Sequence, residues 1–166
     1  MIYNIKGKTL SISALIWSTA DLLRGDYRQS DYGKIILPFT LLRRLECVLE
    51  PTREDVLKEY EARKDLGIPL EQFLVRKSNN SFYNTSKFSL FKLMADSNNL
   101  RDNLESYINS FSANAREIFE KYDFNSQIDK LNDNNLLYLI VEKFSSFDLT
   151  PQSVSNHQMG LMFEEL

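Results

Sequence analysis

The sequence predicts an all-α, compact multi-helix domain, and three observations predict it. Apolar residues recur at spacings of three and four rather than in alternation, only five Gly and four Pro interrupt the 166 residues, and the turns between periodic segments are short and polar. With 43% apolar and 12% aromatic residues, the chain has enough apolar side chains for one core of ordinary domain size.

The first helix is expected over residues 11–24, its core stripe being Ile12, Leu15, Ile16, Thr19, Leu22 and Leu23. Gly25 stands where a left-handed residue stops a helix. Trp17, Asp21 and Arg24 fall on the opposite side, so Trp17 is expected to meet a second packing surface inside the same domain, with a partner interface as the alternative. Ser30 or Asp31 is placed to cap a second helix that runs to residue 50. Its apolar residues cover more than half its circumference, as in a helix surrounded by others. Pro38 falls inside that span, so a kink or a regular part starting near Pro38 is expected.

Beyond Pro51, Thr52 and Asp55 have the spacing of a capping box for a charged surface helix ending near Gly67. A short segment through Leu70, Phe73 and Leu74 follows. Residues 78–88 read as an irregular or β-like stretch, with a short strand pair as one option. Helical spacing returns over residues 88–95, 100–111, 113–122, 126–131 and 136–147. A last segment follows Thr150 and Pro151 and runs through Val154, Met159, Met162 and Phe163. Residues 1–150 are thus expected to form a helical domain and residues 151–166 to begin a helical connection to a further domain. Met159, Met162 and Phe163 are candidates for an interdomain seam.

The chemistry is sparse. One His, His157, and one Cys, Cys47, exclude a multi-cysteine zinc site, a two-histidine metal site and an internal disulfide. No Gly-x-Gly turn exists to cradle a nucleotide, and no carboxylate pair stands out, so no catalytic, cofactor-binding or metal-ligating residue is nominated. No segment is apolar for long enough to cross a membrane and no export signal is evident; a cytoplasmic location is expected.

The formal charge is -3, which argues against a general polyanion-binding surface and leaves only a local one. The first fifty residues carry seven Lys/Arg against five Asp/Glu, the remainder 13 against 18. Arg24, Arg28, Lys34, Arg43 and Arg44 cluster with Trp17, Tyr27 and Tyr32, a mixture suited to phosphate contacts with stacking. The competing reading is solvated helix ends and internal ion pairs with Asp21, Asp26, Asp31 and Glu46.

Residues 16–50, IWSTADLLRGDYRQSDYGKIILPFTLLRRLECVLE, closely resemble the opening of the modification (methylation) subunit of type I restriction-modification enzymes. LLYLIVEKFSSFDLTP and SNHQMGLMFEEL resemble the junction between the helical N-terminal domain and the catalytic domain of the same subunits. The resemblance implies a subunit that transfers a methyl group from S-adenosylmethionine to N6 of adenine in duplex DNA. It also implies a specificity subunit, a second modification subunit and a restriction subunit as partners, with the helical domain serving assembly and DNA enclosure. The family's Phe-x-Gly-x-Gly and Asn-Pro-Pro-aromatic motifs are absent from these 166 residues, so no catalytic residue is carried over. A stand-alone helical interaction or regulatory module is the alternative.

Overall fold

The computed structural model describes the backbone of residues 2–165 and the side chains of residues 12–161 and of Glu164. Among these the fold is all-α: α1 (Ile2–Leu23), α2 (Gly33–Leu49), α3 (Arg53–Arg63), α4 (Glu71–Ser78), α5 (Leu90–Leu93), α6 (Leu100–Asn109), α7 (Ala113–Lys121), α8 (Phe124–Asp133), α9 (Leu137–Ser145) and α10 (Asn156–Glu165).

α1 begins earlier than its periodicity suggests and stops where expected. Gly25, at φ +99°, supplies the left-handed turn that an L side chain resists, and Tyr27 folds back to donate its amide to the Leu23 carbonyl at 3.0 Å. The predicted stripe is the buried one: Ile12, Leu15, Thr19 and Leu23 lie inside, and the Thr19 hydroxyl is satisfied by the Leu15 carbonyl at 2.7 Å.

Two expected caps are corrected. α2 starts at Gly33 with no side-chain cap, because residues 29–31 form a separate 3-10 turn and Asp31 is drawn to Lys34 and Arg28. Thr52 precedes α3 but caps nothing; its hydroxyl instead donates to the Ser78 carbonyl at 3.0 Å, tying the base of α3 to the end of α4. α2 itself runs through Pro38 to Leu49, so its regular part starts well before the proline.

The core is assembled around α2 and α9. α9 packs on α1, α2, α5, α6 and α8, sharing the central place expected of α2 alone. A chain of rings crosses the interior: Tyr107 stacks on Phe111, Phe111 meets Phe119, Phe119 stacks on Phe124, Phe124 meets Phe39 edge-on at 4.9 Å, and Phe39 stacks on Phe144 at 5.5 Å. Edge-to-face and offset contacts of this kind add to the burial of each ring.

The irregular stretch is present but is not a strand pair. Asn84 forms a single antiparallel bridge with Phe111, flanked by Thr85 N–H to Ser110 O at 3.0 Å and Ser112 N–H to Tyr83 O at 2.9 Å. Its backbone is thus satisfied by the turn between α6 and α7 rather than by a local hairpin.

A smaller cluster lies beside the main core. Ile12 of α1, Cys47 of α2, Leu149, Val154 and Met159 are buried against one another, with Ile16 packed on them. The segment after α9 therefore folds back across α1 and α2 before α10 begins.

Candidate functional site: a tryptophan-lined groove

The turn at Gly25 returns the chain beside α1, and the two arms leave a groove between them. Ser13, Ile16, Trp17, Ala20 and Arg24, one face of α1 at helical spacing, form one wall; Gln29, Tyr32, Gly33 and Ile36 form the other, enclosing about 390 Å3. Trp17 is 69% exposed. This corrects the expectation of a second packing surface within the domain: among the described residues no other element covers Trp17, and the largest side chain of the sequence is left facing outward.

The cations around this groove are paired. Arg24 meets Asp21 at 2.8 Å, and Asp31 takes both Lys34 at 3.0 Å and Arg28 at 3.4 Å. The hydrogen bond from Lys34, with the positive charge of its ammonium and of Arg28, holds the Asp31 carboxyl below its ordinary range. Pairs this exposed contribute little to stability and exchange readily for another anion. Trp17, Tyr32 and Arg24 are also the residue types on which protein interfaces most often concentrate their energy.

Arg43 and Arg44 behave differently. They point to the other side of α2 and into the protein. Arg43 donates to the Phe147 carbonyl at 2.8 Å and to Glu46 at 2.5 Å. Arg44, only 6% exposed, donates to the carbonyls of Leu149 at 2.9 Å and Val154 at 2.6 Å and to the Asn156 side chain at 3.0 Å. Burial lowers its pKa. The two arginines are thus not brought together with Trp17, Arg24, Arg28 and Lys34; they hold the segment that leads to α10.

Met159, expected on a seam towards another domain, is already covered by Ile12, Cys47, Leu149 and Val154. The Met162 and Phe163 side chains lie outside the described residues.

Glu46 is the functional-looking residue that sequence reasoning saw only as a possible ion partner. Its carboxylate accepts from Arg43, from the Leu90 amide at 2.9 Å and from the Tyr107 hydroxyl at 2.6 Å. It thereby joins α2, the start of α5 and α6. Burial, and the negative charge of Glu46, push the Tyr107 phenol well above its ordinary pKa. The signal for Glu46 is an acid between Leu45 and Cys47 in a helix apolar on most of its circumference, since such an acid must find internal donors.

The residues present do not fit S-adenosylmethionine. Gly25 closes α1 and Gly67 lies in the bend beyond α3; both are at positive φ with open space around them, and they form no joint phosphate or carboxylate cradle. Among the described residues no His/Cys/Asp/Glu group could hold a metal ion, and no helix is long and apolar enough to cross a membrane. Cys47 is buried, which raises its thiol pKa, and His157 is exposed, so the two do not share an environment suited to nucleophilic catalysis.

The arrangement thus combines an exposed indole, an adjoining groove and solvent-exposed ion pairs. The family model described as HsdM N-terminal domain matches residues 12–144 of the chain, a span that contains the whole groove. No curated protein and no solved structure matches it.

Proposed function

Since the chain belongs to the family of HsdM N-terminal domains, the N-terminal domain of the modification subunit in type I restriction-modification systems, we propose that it serves assembly. It joins the modification subunit to the specificity subunit and to a second modification subunit, and so helps to enclose duplex DNA. The observation that carries this reading is Trp17: a solvated indole beside a groove of about 390 Å3 is a costly way to cover α1 unless a partner desolvates it. In this reading the methyl group passes from S-adenosylmethionine to adenine N6 elsewhere in the subunit, the restriction subunit joins the same complex, and the complex works in the cytoplasm.

Trp17→Ala tests it. In the modification subunit the substitution weakens association with the specificity subunit by about 30-fold or more, the size expected for an interfacial tryptophan of about 2 kcal/mol or more. The melting temperature of the free subunit stays unchanged, because the side chain supports nothing inside the domain. Titration calorimetry or analytical ultracentrifugation reads the difference, and an unchanged affinity overturns the assembly role of the groove.

The DNA-enclosing part has its own test. Arg24 and Arg28 can exchange their aspartates for backbone phosphates, and each such contact adds roughly 0.9 to the slope of log affinity against log salt. Replacing both by Ala therefore lowers the slope of the assembled enzyme by about 2, uniformly across DNA sequences. An unaltered slope assigns the two arginines to their aspartates alone.

A further inference from the structure

Ile16 meets three surroundings at once. It lines the Trp17 groove, packs on the small cluster of Ile12, Cys47, Leu149, Val154 and Met159, and touches the edge of the main core. The wall of the groove is thus also a wall of the chamber in which the segment after α9 is seated.

That segment is held by a particular set of bonds. Arg43 takes the Phe147 carbonyl, and Arg44 takes the Leu149 and Val154 carbonyls and the Asn156 amide oxygen. The acceptors of Arg44 are neutral dipoles. A guanidinium buried against neutral acceptors is bound in place by geometry but lacks the compensation a carboxylate would give to its desolvation. The seat is therefore specific and can open, and its contents are apolar side chains that touch α1 through Ile12 and Ile16.

We propose that the Trp17 groove and the seat of residues 147–159 are coupled through Ile16: a partner lodged in the groove tightens the segment leading into α10, and release of that segment loosens the groove. The inference rests on the groove being a docking site, and it makes docking a signal felt at α10. Coupling of this kind is reciprocal, so it is measurable from the seat side without a partner.

The chain contains its own two reporters, because its one Trp, Trp17, stands at the groove and its one Cys, Cys47, lies in the seat. Arg44→Met is expected to raise the rate at which 5,5′-dithiobis(2-nitrobenzoate) modifies Cys47 by about fivefold or more, the lower end of typical coupling factors. In parallel it shifts the emission of Trp17 and its quenching by iodide. In an Ile16→Ala background Arg44→Met still exposes Cys47 but no longer moves Trp17. Lys121→Ala, an exposed residue of α7 that lines neither the groove nor the seat, leaves both readings unchanged.

If Arg44→Met proves too unstable to purify folded, Met159→Ala opens the same seat and is read in the same way. Faster Cys47 modification with Trp17 unaltered overturns the coupling, and so does an unaltered Cys47 rate in both variants. These readings come from the chain alone, whereas the docking role fails on subunit association with Trp17→Ala, so the two failures are distinguishable.

Discussion

Glu46→Ala lowers the free energy of unfolding by about 3–5 kcal/mol, the range for removing one partner of a buried ion pair. The carboxylate of Glu46 is the common acceptor for the Arg43 guanidinium, the Leu90 amide and the Tyr107 hydroxyl. Its removal leaves the half-buried Arg43 guanidinium with only the Phe147 carbonyl and two buried donors without an acceptor, and each unsatisfied donor alone costs about 1–3 kcal/mol. The consequence is not local, since those donors sit on α2, at the start of α5 and on α6. Against a typical total of about 5–15 kcal/mol, the variant is expected to melt roughly 10 °C lower. Urea denaturation of both proteins checks this. A loss under about 1 kcal/mol shows that the carboxylate is not what fastens α5 and α6 to α2.

Phe39→Ala has an effect of the same order, about 3–5 kcal/mol, for a different reason. Phe39 is fully buried and stands between Phe124 of α8 and Phe144 of α9, the two ring contacts through which α2 meets both helices. Truncation removes the buried area and leaves a void whose walls belong to three helices, so collapse around it is incomplete. Phe39→Leu refills most of the volume and is expected to recover more than half of the loss. If the alanine variant is within about 1 kcal/mol of the parent, the ring chain is not the keel of the core.

The fold was readable where the deciding forces are local. The stop at Gly25, the stripe of α1 and the short helices from α6 to α9 follow from residues a few positions apart, as do the Arg24–Asp21 and Arg43–Glu46 pairs at spacing three. The two caps were misread because Asp31 and Thr52 had better partners than the backbone amides next to them, an ion pair in one case and the Ser78 carbonyl in the other. The candidate site was readable in part. That Trp17 faces away from the α1 stripe is helical geometry; that none of the described residues covers it depends on where every other helix goes. Arg44 was the least readable residue. It looks like its neighbour Arg43 in a basic cluster, yet its acceptors lie 105 to 112 positions further on, beyond the reach of any pattern in the sequence.

The same separation has a meaning in time. At a synthesis rate of about 5–20 residues per second, α2 leaves the ribosome roughly 5–20 s before the carbonyls that Arg44 binds have been made. During that interval its apolar flanks are covered only as the later helices emerge, α8 and α9 last of all. The helix at the centre of this fold is therefore made well before its packing is completed, which puts the demand for chaperones on the interval between the synthesis of α2 and that of α9.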